Sequence, residues 1–262
     1  MDPAILVVSF GTTHLDTLQE NIARTEADIA AAFPGCALYR AFTSGIVRTR
    51  LREKLDVRVD SVEEALSRIA NHGHKAVVIQ PTLLIPGEEY DLLCASVRAA
   101  AGELRYAIGR PLLCNGGDLD EIAGILREMY PTGEDTVLLL MGHGTEHSAN
   151  DLYQQLAEKL RAREGAPMRL CTVEGTPTFA DAVRELTAMP QRKALLTPLM
   201  LVAGEHAKED MAGEGPESLR SLLVKEGFQV VCIVQGLGQL QRVRNMYVRR
   251  ALEAAKTLKE TI

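Results

Sequence analysis

VLLLMGHGTEH occupies residues 137–147 and joins a run of apolar side chains to two glycines that flank a histidine. Five consecutive apolar residues followed by glycine predict a buried strand of a parallel sheet, and the glycines allow the backbone to turn sharply at its end. We therefore expect His143 at the carboxyl end of a strand, the edge of an open α/β sheet where ligands bind. The alternative is a histidine that only caps the strand through a backbone hydrogen bond.

The composition narrows the class of protein. With 262 residues, 46% of them hydrophobic, the chain can form one large domain or two small ones. A net charge of −6 argues against nucleic acid as a partner, because nucleic-acid binding needs an extended basic surface. No apolar run approaches the ~20 residues of a membrane span, and no signal peptide is recognisable. We therefore expect no membrane partner. The five cysteines form no C-x-x-C pair, which favours a cytoplasmic protein.

The second half of the chain repeats the first. PTLLIPGEE at 81–89 corresponds to PLMLVAGEH at 198–206, and GTTH at 11–14 corresponds to GTEH at 144–147. Apolar runs alternate with amphipathic stretches throughout, which is the order of βαβ units and parallel sheets. A repeat this long indicates a duplicated domain, because solenoid repeats span about 20–50 residues.

We therefore predict an α/β fold of two similar lobes, each a parallel sheet flanked by helices, that face each other across a cleft. The first lobe would comprise residues 1–119, with the C-terminal helix 239–262 packing back on it. The second would comprise residues 120–238 and carry the chemistry at its strand ends. The sequence leaves a homo-oligomer open.

Equivalent strand ends of the two lobes differ in chemistry, so that the second lobe offers two imidazoles and a carboxylate. Such a set suits a divalent transition metal, and three protein ligands leave coordination positions open for exchange. Glu89 would add a carboxylate from the first lobe; its alternative is an acid favoured in the first turn of a helix. Glu174 has the alternative of an ordinary turn residue. The equivalent pairs are Phe10 with His143, Thr43 with Glu174, and Glu89 with His206.

Several nucleotide-binding and catalytic motifs are missing from the sequence. There is no G-x-x-x-x-G-K-[ST] loop and no Gly-Lys pair, so an ATP site of that type is not expected. The dinucleotide fingerprint is incomplete at its third glycine, and no G-x-S-x-G nucleophile elbow occurs. The chemistry must therefore come from the histidines and carboxylates at the strand ends.

Four segments together resemble a known family. LVVSFGT at 6–12, AFTSG at 41–45, MGHG at 141–144 and above all TPLMLVAGEHA at 197–207 are similar to the anaerobic-pathway sirohydrochlorin cobalt chelatases, which are class II tetrapyrrole chelatases. The resemblance spans the chain, and its PLMLVAG block is specific. It implies a lyase that inserts Co(II) into sirohydrochlorin during cobalamin biosynthesis, with no ATP and no cofactor beyond the substrate metal.

The resemblance also implies roles for individual residues. The metal ligands of the family correspond to His143, Glu174 and His206, and the first of these is also the implied proton acceptor. Glu89 matches a family acid in the first lobe, so we predict His143 and Glu89 as the catalytic residues. Removing two pyrrole N–H protons while the metal sheds water requires such a base beside exchangeable ligands.

Sirohydrochlorin carries many carboxylates, which need local cations in a chain of net negative charge. A basic cluster follows the predicted strand end at 43–45, and its alternative is a solvated helix face. The predicted substrate-binding residues are Ser9, Phe10, Gly11, Arg48, Arg50 and Arg52.

Three other functions compete with a cobalt chelatase. A sirohydrochlorin ferrochelatase would use the same residues, because the ligand set accepts cobalt, iron and nickel. A non-catalytic two-lobed metal or tetrapyrrole carrier would normally be exported, which the expected absence of a leader disfavours. A metal-dependent hydrolase would need an acid cluster for two metal ions, and none appears at the strand ends.

Overall fold

The computed structural model describes residues 3–130, 132–162 and 167–260, in which strands and helices alternate. The strands are β1 Ala4–Ser9, β2 Leu38–Phe42, β3 Ala76–Pro81, β4 Arg105–Ile108, β5 Thr136–Gly142, β6 Met168–Thr172, β7 Lys193–Leu199 and β8 Gln229–Cys232. The α-helices are α1 Leu15–Thr17, α2 Arg24–Ala31, α3 Gly45–Leu55, α4 Val62–Asn71, α5 Glu88–Ala100, α6 Gly116–Met129, α7 Asp151–Arg161, α8 Phe179–Thr187, α9 Leu219–Lys225 and α10 Gln241–Glu260. Short π-helical turns occur at Leu18–Ala23 and Ala207–Met211, and 3-10 turns at Ser148–Asn150 and Leu237–Gln239.

The chain forms two compact units. The first runs to Leu112 and resumes at Gly238, and the second is Leu113–Leu237. Their sheets have the orders β2-β1-β3-β4 and β6-β5-β7-β8, with every neighbouring pair parallel. The two sheets therefore share one topology, and the prediction of two similar α/β lobes with parallel sheets is confirmed.

Helices complete each unit. In the first unit, α10 packs on α2, β3 and β4, and α4 packs on β1 and β2. In the second, α7 packs on β6 and on α6, and α8 also packs on β6. The second unit begins before the predicted residue 120, since α6 starts at Gly116, where the Asn115 side chain accepts a hydrogen bond from the Asp118 N–H and caps the helix.

The core of each unit lies on both faces of its central strands. β1 and β3 are buried along their whole length, and β5 is buried from Val137 to Gly142. Such continuous burial explains why these strands are apolar runs without alternation. The outer strands β4 and β8 are partly exposed, as edge strands of a sheet flanked by helices should be.

Side-chain hydrogen bonds mark the start of α4 and the end of β3. A capping box begins α4, because the Ser61 hydroxyl accepts from the Glu64 N–H and the Glu64 carboxylate accepts from the Ser61 N–H. β3 ends at Pro81. Beyond it, the Tyr247 hydroxyl of α10 donates to the Thr82 carbonyl at 3.0 Å, so a side chain replaces the next ladder bond.

Within the described ranges, no helix is both long enough and apolar enough to cross a bilayer.

Candidate metal centre

The His143 turn follows β5 directly and is shaped by glycines on both sides. A Cβ atom at Gly142 would lie 2.5 Å from Cε1 of Tyr153, and one at Gly144 would lie 1.3 Å from the carbonyl oxygen of Glu174. Gly144 also has a φ of +79°, a conformation that L side chains rarely adopt. Both positions therefore need glycine, because the turn packs against α7 on one side and against the loop after β6 on the other.

Glu174 reaches His143 because parallel pairing continues past the end of β6. The Val173 N–H donates to the Gly142 carbonyl at 3.1 Å, and the Glu174 N–H donates to the His143 carbonyl at 2.7 Å. The Glu174 Oε2 atom then lies 4.0 Å from Nδ1 of His143. Two side chains that are thirty-one positions apart in sequence are thus neighbours at the carboxyl edge of one sheet.

His206 stands on the adjacent strand end, after β7 and immediately before the π-helical turn at 207–211. Its ring and the ring of His143 are 5.0 Å apart between centroids and nearly perpendicular, at 86°. Its Nδ1 atom lies 2.6 Å from Oδ2 of Asp210, one turn further on. A carboxylate in this position fixes the orientation of an imidazole, as it does for many metal-binding histidines.

The hydrogen bonds assign the same tautomer to both histidines. Nδ1 of His143 lies 3.0 Å from the Gly144 carbonyl oxygen, and Nδ1 of His206 lies beside a carboxylate. Because both partners are acceptors, the neutral form of each ring has its proton on Nδ1 and its lone pair on Nε2. Both Nε2 atoms are therefore chemically able to bind a metal ion or accept a proton.

The three donor side chains are accessible to solvent. The side chains of His143, Glu174 and His206 are 47%, 61% and 41% exposed. Among the described residues, no three His, Cys, Asp or Glu side chains already stand in a metal-coordinating arrangement. Structural metal sites are closed by all their ligands, so the exposure of these three side chains is typical of an exchangeable site and not of a structural one.

Two buried residues that we did not identify from the sequence support this group. The Tyr153 ring lies against Gly142, and burial raises the pKa of its phenol to about 12, an effect opposed by hydrogen bonding from the backbone of Gly144 and His143. Asn150 connects the loops that carry His143 and Glu174. No sequence pattern indicated the role of Tyr153 or of Asn150. The contact between His206 and Asp210 was also not predicted, although their four-residue spacing could have indicated it.

Glu89 is the second residue of α5 and belongs to the first unit. It lies in an acidic first turn with Glu88 and Asp91, so its position satisfies the helix-terminus alternative. The Glu89 side chain is half-buried, and within the described ranges it forms no ion pair. Its catalytic role stays a prediction.

The segment after β1 offers one exposed apolar side chain. Phe10 is 48% exposed, whereas Ser9 is buried and its hydroxyl accepts a hydrogen bond from Thr82 Oγ1 at 2.7 Å. Gly11 has a φ of +104°, and a Cβ atom there would lie 2.6 Å from the Phe42 ring. Ser9 and Gly11 therefore shape the strand end, whereas Phe10 presents an exposed surface. The substrate contacts of all three residues stay predictions.

The predicted basic cluster lies on α3 and is divided by helical geometry. Arg48 and Arg52 are one turn apart on the same face, whereas Arg50 lies about 200° around the axis from Arg48. Arg48 is half-buried, with its NH1 nitrogen 3.7 Å from the Glu64 carboxylate, while Arg50 and Arg52 are exposed. A single ligand therefore meets the pair Arg48 and Arg52 more readily than all three.

A groove of about 620 Å³ between α7 and α8 lies outside this group of donors. Four of its charged side chains form ion pairs: Arg161 with Glu185 at 2.8 Å, and Arg184 with Asp181 at 2.6 Å. With their charges already compensated, these residues do not form a reactive centre.

The chain was compared with known proteins. Residues 3–256 match the family model described as cobalt chelatase (CbiK). A sirohydrochlorin cobaltochelatase from Salmonella typhimurium is 34% identical over 256 residues, which cover 97% of both chains. The sirohydrochlorin cobaltochelatase CbiKC from Nitratidesulfovibrio vulgaris is 31% identical over 259 residues, covering 97% of this chain and 91% of that protein.

Solved structures show the same fold. SirB from Bacillus subtilis with Fe3+ superposes with a TM-score of 0.69 at 17% identity, covering 99% of this chain and 98% of that one. CbiX, described as the terminal enzyme for biosynthesis of sirohaem in denitrifying bacteria, gives a TM-score of 0.56 at 20% identity and covers 96% of this chain and 99% of that one. At these identities the likeness concerns the fold alone.

Proposed function

The chain belongs to the cobalt chelatase (CbiK) family, and we propose that it inserts Co(II) into sirohydrochlorin at the group formed by His143, Glu174 and His206. The observation that carries this assignment is that two imidazoles and one carboxylate lie at a single sheet edge, with the rings 5.0 Å apart and both Nδ1 atoms beside hydrogen-bond acceptors. Such donors bind a divalent transition metal and release it again.

The reaction exchanges one divalent metal ion for two pyrrole N–H protons. In our proposal His143 Nε2 accepts protons from the macrocycle, and the Glu174 carboxylate, 4.0 Å from Nδ1, stabilises the imidazolium that forms. His206 holds the metal through Nε2, while Asp210 keeps the proton on Nδ1 and the ring in place. Each accepted proton then passes to solvent, which reaches these exposed side chains.

The first unit supplies groups suited to the tetrapyrrole. Phe10 offers an exposed aromatic ring to a flat apolar face, and Arg48 and Arg52 offer cations to carboxylates. We retain Glu89 as a catalytic carboxylate of this unit, which is supported by its equivalence to His206 in the sequence repeat. A cytoplasmic location is part of the proposal and is supported by the five scattered cysteines, which form no C-x-x-C pair in the sequence.

Insertion is expected to proceed without nucleotide, because the sequence contains no phosphate-binding loop. The test mixes the purified full chain with sirohydrochlorin and Co(II), Fe(II) or Ni(II) in separate cuvettes and follows the absorbance change on metallation. We expect Co(II) insertion well above the rate without protein. Turnover that starts only after ATP addition, or insertion no faster than in the protein-free cuvette, would refute the proposal.

Replacing Arg48, Arg50 and Arg52 together by alanine is expected to raise the KM for sirohydrochlorin several-fold more than it lowers kcat, as when uniform binding is lost. Because Arg48 and Arg52 share a face of α3, the double variant should reproduce most of this effect. Arg50→Ala serves as the matched control and should resemble the wild type. Steady-state kinetics with varied sirohydrochlorin decide the matter, and an unchanged KM in the triple variant assigns the cluster to a solvated face.

A further inference from the structure

The amide of Asn150 connects the two loops that carry His143 and Glu174. Its Oδ1 atom accepts from the Thr145 N–H at 3.2 Å, and its Nδ2 atom donates to the Thr176 carbonyl at 2.9 Å. Thr145 lies two residues after His143, and Thr176 lies two residues after Glu174. One side chain thus uses its acceptor on the first loop and its donor on the second.

Asn150 is itself held on a rigid element. It ends the 3-10 turn at 148–150, immediately before α7, and its own N–H donates to the His147 carbonyl at 2.9 Å. The residue is only 8% exposed. A buried, fully used amide is costly to remove, because its former partners lose hydrogen bonds that water does not readily replace.

The loop after β6 passes close to the Asn150 amide. A Cβ atom at Gly175, next to Glu174, would lie 2.7 Å from Asn150 Oδ1, so the loop approaches as closely as glycine permits. Gln154, one turn along α7, adds a second contact to the same loop by donating from Nε2 to Thr176 Oγ1 at 2.8 Å. The start of α7 therefore joins the two loops a second time, beyond the backbone hydrogen bonds that link Val173 to Gly142 and Glu174 to His143.

We infer that Asn150 is a positioning residue, which holds His143 and Glu174 at the spacing from which they bind the incoming metal ion. This inference rests on the proposed function of the three donors. Donor side chains that are 47% and 61% exposed cannot fix their own separation, so the backbone beneath them must do so. Asn150 contacts neither metal nor tetrapyrrole in this account and acts through the two loops.

The experiment compares Co(II) binding by calorimetry, without tetrapyrrole, in the full-length wild type, Asn150→Ala and Asn150→Asp. Both variants lose the donation to Thr176, and the aspartate keeps the size of the side chain. We expect the Kd for Co(II) to rise about 10- to 100-fold, the usual range for loss of a residue that orients metal ligands. The KM for sirohydrochlorin should change less than about twofold, because uniform substrate binding is untouched.

Tyr130→Phe is the matched control. It removes a buried hydroxyl of the second unit, which lies 3.4 Å from Thr197 Oγ1, at the end of α6 that precedes β5. It should lower the melting temperature slightly and leave the Kd for Co(II) unchanged. If an Asn150 variant shows only the control's pattern, a lower melting temperature with wild-type Co(II) affinity, the positioning role is refuted.

The histidine variants separate this inference from the proposed function. If His143→Ala and His206→Ala weaken Co(II) binding but both Asn150 variants do not, the three-donor site stands and the positioning role falls. If the histidine variants also bind Co(II) like the wild type, the proposed metal site itself is wrong. Should Asn150→Ala fail to fold, the isosteric Asn150→Asp decides alone by the same Kd criterion.

Discussion

His143→Ala is expected to abolish metal insertion with Co(II), Fe(II) and Ni(II) alike. The substitution removes the proposed proton acceptor and one metal ligand at the same time, so no choice of metal restores the reaction. A single general base is typically worth about 100- to 10,000-fold in rate, and we expect the loss of kcat to fall in that range or beyond it. The measurement is the initial rate of the absorbance change with both substrates at saturation.

His72→Ala is the matched control for this experiment. His72 follows α4 and precedes β3, so it lies at the amino-terminal edge of the first unit's sheet, where its Nδ1 atom is 2.7 Å from the Tyr39 hydroxyl. Its loss should therefore leave insertion near the wild-type rate. The account is contradicted if His143→Ala keeps a near-normal kcat with any of the three metals.

Gly144→Ala should lower the insertion rate nearly as much as His143→Ala, although it removes no functional group. The new methyl group would lie 1.3 Å from the Glu174 carbonyl oxygen, in a backbone conformation with a φ of +79°. The His143 turn and the Glu174 loop must then separate. Because a misplacement of about 1 Å can cost 100-fold in rate, we expect a loss of at least that size together with weaker Co(II) binding. Insertion rates, calorimetry and melting temperatures measure the three effects.

Gly133→Ala controls for the glycine-to-alanine change itself. A Cβ atom at Gly133 meets nothing within 4 Å, and this glycine precedes β5 at its amino end, so activity and Co(II) affinity should be unchanged. A folded Gly144→Ala variant with wild-type affinity and rate would show that the close approach of the two loops is not needed for function.

The central strands and the repeat were predictable from sequence because their cause is local. A strand buried on both faces must be a continuous apolar run, so β5 and its terminal His143 stood out. The matching PTLLIPGEE and PLMLVAGEH segments predicted equivalent strands, and both sheets have the same order. The residues that differ between the repeats then predicted the chemistry of the strand ends.

Residues that act through tertiary contacts were not predictable in this way. Asn150 and Tyr153 are an ordinary amide and an ordinary aromatic residue near a helix start, and their roles appear only when the loop after β6 approaches the His143 turn. The burial of Ser9 was not predictable for the same reason, because it depends on Thr82, which follows the neighbouring strand β3. Arg50 was grouped with two arginines by sequence proximity, although the helix turns it away from them.

The division of roles between the two histidines is the central claim, and one titration tests it. At saturating sirohydrochlorin, the insertion rate is measured against Co(II) concentration for the wild type, His143→Ala and His206→Ala. His206→Ala loses a ligand held by Asp210, so its rate should recover partly as Co(II) rises, whereas His143→Ala should stay inactive at every concentration. Recovery of His143→Ala to a near-normal rate, with His206→Ala inactive throughout, would contradict the account.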